Sequence, residues 1–129
     1  MSGGEARGVV VAHGEMARGM VTAVVRIAGI PEEVLVPVSN EGRGPDELKD
    51  TILERIGDEP AVIFTDLAAG SCTLAARMSC RDRARMAVVA GVNLPMLLEF
   101  VFHRELPLSE LLPRLEQKGQ DGIRILPVG

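Results

Sequence analysis

The stretch that most constrains this chain is residues 8–14, Gly-Val-Val-Val-Ala-His-Gly. Three consecutive valines favour a short buried strand, because side chains branched at Cβ suit a pleated, packed surface. The run ends at His13 and Gly14, and the pattern beyond them is helical. The histidine therefore stands where a strand hands over to a helix. In an open α/β sheet that edge is where ligands bind. The rest of the chain has to supply the sheet that holds His13 and the loops that surround it.

Apolar residues at Met16, Met20, Val24, Ile27 and Ala28 predict a helix over 16–28, widened by Val21 and Val25, with Gly29 as its cap and Pro31 preventing continuation. Residues 34–38 read as a second strand, and Pro37, which cannot donate to a ladder, suggests an edge strand or a strand end. After a polar, glycine-rich loop over 39–44, Pro45 starts a helix with Asp46 and Glu47 at its positive end; Leu48, Ile52 and Ile56 mark its apolar face and Gly57 ends it. A third strand is expected over 61–64, closed by Thr65 and Asp66. Gly70 permits a turn, Ser71 is expected to cap a helix over 72–80, and a fourth strand follows at 86–90. Asn93 caps a helix with Leu94, Leu97, Leu98, Val101 and Phe102 on one face. A further helix is expected over 109–118, ended by Gly119 and disturbed by Pro113, and then a last strand at 123–126. Strands alternating with helices predict an α/β fold, with a mainly parallel sheet between two helical layers in one domain over 1–129. Residues 1–6 are expected to be flexible.

Composition narrows the function. Hydrophobic residues make up 47% of the 129, enough for a core and against disorder. Acidic residues outnumber basic ones 18 to 14 and there is no Trp or Tyr, which argues against nucleic acid. No apolar run approaches the roughly 18 residues of a membrane span, and the first residues do not read as a signal peptide. Cys72 and Cys80 form neither a disulfide framework nor a CxxC motif, which suits a reducing, cytoplasmic setting.

His13 and Asp66 occupy equivalent positions, each ending a strand at the expected C-terminal edge of the sheet. If the first and third strands are neighbours, the side chains can meet. A carboxylate on one ring nitrogen would then fix the tautomer and leave the other nitrogen as a nucleophile. The competing reading is a strand-end histidine that satisfies a loop carbonyl. Gly70 and Ser71 lead into a helix whose first N–H groups make an anion site, although ordinary capping explains them equally. Neither a P-loop nor a Gly-x-Gly-x-x-Gly fingerprint is present. Cys72 near a helix start is expected to have a lowered thiol pKa, yet reads as a packing residue more readily than as a nucleophile. Met16 and Met20 suit either a partner surface or the core. His103 reads as a surface residue with no carboxylate at helical spacing to single it out. The His, Cys and carboxylate residues do not cluster in sequence as a metal site would.

Taken together, His13-Gly14, Thr65-Asp66-Leu67 with Gly70-Ser71, and residues 90–99 (Ala-Gly-Val-Asn-Leu-Pro-Met-Leu-Leu-Glu) resemble the mannose-family IIA component of the bacterial sugar phosphotransferase system, from Gly8 to about Leu126. Ala69 and Cys72 stand where that family usually has glycine and proline. The resemblance implies a cytoplasmic phosphotransferase, with kinase-type chemistry, that takes a phosphoryl group from an HPr-like phosphocarrier onto His13 and passes it to a IIB component in sugar uptake. Asp66 would orient His13, Gly14, Gly70 and Ser71 would bind the phosphoryl group, and Asn93 would shape the neighbouring loop. No metal or organic cofactor and no membrane insertion are implied. The resemblance further implies four parallel strands joined by an antiparallel C-terminal strand exchanged between the two chains of a homodimer. A regulatory domain of the same fold, read by a partner protein without sugar transport, is the alternative; a small-molecule binding domain at the same sheet edge is a third reading.

Overall fold

The computed structural model describes residues 5–81 and 83–129. The element order is β1 (Arg7–Ala12), α1 (Met16–Ala28), β2 (Leu35–Ser39), α2 (Pro45–Ile56), β3 (Ala61–Thr65), α3 (Ser71–Cys80), β4 (Met86–Ala90), α4 (Leu94–Phe102) and α5 (Leu108–Asp121), with a short 3₁₀ turn before β2. The four strands are parallel and lie in the order β2-β1-β3-β4. Pro37 sits in β2 at one edge, where its missing N–H breaks no central ladder.

Two cores follow from the pleat. Side chains alternate across a strand, so Val10, Ala12, Val62 and Phe64 pack on one face with Ala17, Val21, Val24, Leu97, Phe100, Leu111 and Leu115 from α1, α4 and α5. Val9, Val11, Ala61 and Ile63 face the other way, against Leu48, Ile52 and Ile56 of α2 and Cys72, Ala75 and Ala76 of α3. This is the expected three-layer α/β/α arrangement. Phe64 and Phe100 meet edge to face with centroids 5.3 Å apart. Gly8 lets β1 approach this pair: a Cβ there would lie 2.6 Å from the Phe100 ring and 2.7 Å from Leu35.

Some boundaries differ from the sequence expectations. Ser71 does not cap α3; Gly70 holds that position with φ +106°, which glycine alone tolerates easily, and Ser71 is the first helical residue. Gly119 does not end α5. The helix runs through Pro113 to Asp121, because burying Leu111, Leu115 and Gly119 outweighs one lost backbone bond. Gly119 is instead a point of close packing, where a Cβ would lie 2.7 Å from Met96 Cε. The strand expected over 123–126 is not formed within one chain. Residues 123–129 carry no regular structure and Ile125 is fully exposed; among the described residues they pair with no strand, although Ile123 lies by the groove beside β4. Of the stretch expected to be flexible, residues 1–4 lie outside the described residues, whereas Ala6 is buried with its backbone bonded to Arg104.

Gly8→Ala should therefore destabilise the protein by about 1–3 kcal/mol, the cost of overfilling a packed core. Urea unfolding of the two proteins measures it, and an unchanged midpoint would show that Phe100 and Leu35 yield freely.

Candidate functional site

Strand order reverses between β1 and β3: the chain leaves β1 toward β2 on one side, then crosses to β3 on the other. A crevice opens at such a point beyond the carboxyl ends of the strands. Val11 pairs with Thr65, so His13 and Asp66 emerge side by side. One oxygen, Asp66 Oδ2, accepts twice from the same residue: from the His13 backbone N–H at 3.0 Å and from the His13 ring at Nδ1, 2.7 Å away. The Asp66 side chain is only 7% exposed and that of His13 is 49% exposed.

Burial pushes the Asp66 carboxyl up, but the ring hydrogen bond, the backbone N–H and the attraction of the imidazole together bring it below its ordinary value. Asp66 is thus a carboxylate, an acceptor only, and the proton between it and Nδ1 belongs to the ring. Nε2 is left with its lone pair.

The loop over 66–71 is fastened from beneath. The Thr65 and Thr73 hydroxyls lie 2.7 Å apart in the interior, and both reach the Leu67 carbonyl. From the other side Asn40, just past β2, hydrogen-bonds the Ala12 carbonyl through its backbone N–H, and its amide donates to Ser71 Oγ at 3.5 Å. Sequence reasoning missed Asn40 and Thr73, and named Thr65 only as a strand end and motif residue. For Asn40 the available signal was a polar residue directly after its strand, as His13 and Asp66 follow β1 and β3; Thr73, inside α3, carried none. Gly14 follows His13 with φ +58°, and the start of α3 brings Gly70 and Ser71 to the same edge. The first N–H groups of α3 have no partner within the helix.

Asn93 stands apart from this group. Its Oδ1 accepts from the Met96 N–H at 3.1 Å and its amide donates to the Gly119 carbonyl at 2.8 Å, so it caps α4 as expected and also ties α4 to α5. Met16 is exposed beside the site, whereas Met20 packs against the core.

Two expectations are corrected. The Cys72 thiol is not activated: burial first, and the Asp66 charge second, push it up to about 11, only partly offset by a hydrogen bond from Ser71. The helix start cannot prevail when the thiol is sealed from water and faces a carboxylate. Its packing role in the core holds. His103 does have a carboxylate at helical spacing: Glu99, four residues earlier on α4, lies 3.4 Å from its Nε2, and Arg114 of α5 bonds both.

A half-exposed imidazole, oriented by a buried carboxylate at the switch point of a doubly wound sheet, defines a site suited to nucleophilic group transfer. The family described as PTS system fructose IIA component matches residues 8–113, and the chain belongs to this family of sugar phosphotransferase system phosphocarriers. The fructose-specific EIIA component of Bacillus subtilis (strain 168) is 29% identical over 122 residues, covering 91% of this chain and 84% of that protein. Among solved structures, a phosphotransferase system EIIA component from Streptococcus agalactiae superposes with a TM-score of 0.85 at 22% identity, covering 92% of this chain and 95% of that one. The mannose/sorbose-specific IIA subunit from Enterococcus faecalis gives 0.82 at 22% identity, covering 98% of both chains. Both establish the same fold. Among the described residues no helix is long and apolar enough to cross a membrane.

Because its folded value is lowered, Asp66 contributes stability above its unfolded pKa of about 3.9, and that contribution is lost as pH falls through the folded value. Asp66→Asn lacks this group. The stability gap between wild type and variant should shrink below about pH 4. Urea midpoints measured across the acid range test this; a gap independent of pH would show that the ionised carboxylate contributes nothing.

Proposed function

We propose that this protein carries a phosphoryl group on His13, receiving it from an HPr-like phosphocarrier and delivering it to a IIB component during sugar uptake. One observation carries the reading: the Asp66 carboxylate takes up Nδ1 and leaves Nε2, on a half-exposed ring, free to attack. Nε2 bonds to phosphorus as the donor's bond to phosphorus breaks. The ring, still protonated at Nδ1, then bears positive charge that Asp66 offsets. A second in-line transfer to the acceptor reverses these changes. Such transfers need mainly positioning and charge stabilisation. Gly14, Gly70 and Ser71 are the phosphoryl-binding group, through their backbone and the free N–H groups at the start of α3. Asn93 shapes the next loop. Exposed Met16, Leu67 and Leu74, on elements flanking His13, offer apolar contact to protein partners. This phosphotransferase works without a cofactor, and free cysteines suit the cytoplasm.

Incubation with phosphoenolpyruvate, enzyme I and HPr should place one acid-labile phosphate on the protein. His13→Ala should abolish it and His103→Ala should not. Asp66→Asn removes a hydrogen bond to a charged partner, worth about 1.5–3 kcal/mol, so phosphorylation should slow by roughly 10–100-fold. Label that survives His13→Ala would sink the mechanism. A phosphorylated protein that passes nothing to any IIB component would point to a regulatory output instead.

The same reading includes a homodimer with exchanged C-terminal arms. Three features support it. Among the described residues β4 pairs only with β3, leaving an open edge, and all five of its residues are half-buried. A groove of about 550 Å³ runs along that edge, lined by Val88, Val89, Met96 and Leu112 among others. Ile123, Ile125 and Leu126 are exposed in the single chain. An exposed edge and an unpaired apolar arm are both association hazards, and exchanging arms removes them together. Full-length protein should sediment as a dimer, and deletion of residues 122–129 should yield an aggregating chain. A full-length monomer at about micromolar concentration, near the affinity of an ordinary specific complex, would rule the exchange out.

A further inference from the structure

His13, Asp66 and Cys72 are far apart in sequence, yet the fold brings a ligand atom from each within 4.8 Å of the others. Cys72 Sγ lies 3.8 Å from His13 Nδ1, on the same nitrogen that meets Asp66 Oδ2. The second carboxylate oxygen, Asp66 Oδ1, is buried and has no hydrogen-bond partner among the described residues. A buried carboxylate oxygen without a donor is costly, and transfer through Nε2 gives it no task. We propose that His13, Asp66 and Cys72 form a binding site for a thiophilic divalent cation, Zn²⁺ by the chemistry of its donors, whose occupancy blocks phosphoryl transfer.

An imidazole nitrogen, a carboxylate oxygen and a thiolate suit zinc, and three protein donors leave a fourth position for water. Calcium and magnesium favour oxygen donors alone. Tetrahedral zinc with these ligands sets neighbouring donor atoms about 3.3–3.6 Å apart. The nitrogen–sulfur distance of 3.8 Å is close to that already. The nitrogen–oxygen distance of 2.7 Å, to Asp66 Oδ2, has to open by roughly 0.6 Å, a small movement for a half-exposed ring, and a carboxylate bound through both oxygens gives Oδ1 its missing partner.

The effect on transfer, which rests on the phosphocarrier reading, follows from the lone pairs. Binding replaces the Cys72 S–H proton, released to solvent, with a sulfur–metal bond. The Nδ1 lone pair goes to the metal, so the ring proton moves to Nε2. A ring protonated at Nε2 and bound at Nδ1 has no pair left for phosphorus. No electrons are transferred, and removing the metal restores the original tautomer.

Titration of the protein with Co²⁺ tests the site directly, since a thiolate ligand gives a near-ultraviolet charge-transfer band that added Zn²⁺ should displace. The band should appear in wild type and in Cys80→Ser and vanish in Cys72→Ser. Cys72→Ala, which keeps the apolar packing, should behave as Cys72→Ser does. His13→Ala should weaken Co²⁺ binding by at least the roughly 10–100-fold seen for losing lesser, outer-shell partners. A missing band, or one that follows Cys80, overturns the site. For the switch, the phosphorylation rate with Zn²⁺ is divided by the rate without it, each protein against itself. The ratio should fall about tenfold or more in wild type and stay near unity in Cys72→Ser. Equal inhibition of both overturns the switch. A wild-type protein that takes no phosphate in either condition overturns the phosphocarrier reading and the switch with it, while the Co²⁺ band still decides the site.

Discussion

Everything at this site depends on one carboxylate oxygen. Asp66 Oδ2 takes a backbone N–H and a ring nitrogen from the same histidine. The first bond fixes where the strand end sits, and the second fixes how the ring is turned. Both require β1 and β3 to be neighbours in the register that pairs Val11 with Thr65. A one-residue slip would turn every side chain of one strand to the opposite face. The two cores prevent it, since the valines of β1 and the alternating residues of β3 are fully buried on both sides. Packing far from the histidine thus sets its chemistry.

Holding a carboxylate in a largely buried position is unfavourable by itself, and the surroundings show how it is offset. The His13 donors stabilise the ionised form, while buried hydroxyls of Thr65 and Thr73 hold the Leu67 carbonyl and with it the loop that carries Asp66. Cys72 experiences the same environment with the opposite result. With its thiol buried and facing Asp66, it is held in the neutral form. One charged group is supported there, and its neighbours are tuned to it.

The molecule is uneven at its edges. β2 ends the sheet with a proline, which discourages pairing, whereas β4 leaves its edge open beside an apolar groove. The residues after α5 carry apolar side chains that stay largely exposed in the single chain. Open edge and uncovered segment lie at the end of the sheet remote from β2, so a partner can meet them without disturbing the strand that carries His13.

Much of this was legible in the residues alone. Local periodicity marks the strands and helices, because alternation by two and by 3.6 is written into neighbouring positions. Gly-Val-Val-Val-Ala-His-Gly, Thr65-Asp66 and Asn93 announced a strand-end histidine, a matching carboxylate and a helix cap. The misplaced readings have several causes. Ser71 as a cap yielded to its neighbour, since Gly70 takes the positive φ of the turn, whereas Gly119 as a helix end and a lowered Cys72 thiol yielded to contacts distant in sequence: Met96 against Gly119, and burial beside Asp66. Asn40 and Thr73 belong to the site only because strands distant in sequence end at one edge. By itself the sequence determined nearly all the elements, the two-faced sheet and which residues are candidates for the chemistry. Tertiary structure decided which of them meet, which nitrogen is free and which thiol is silent, because register, burial and charge are set by neighbours in space that periodicity along the chain does not record.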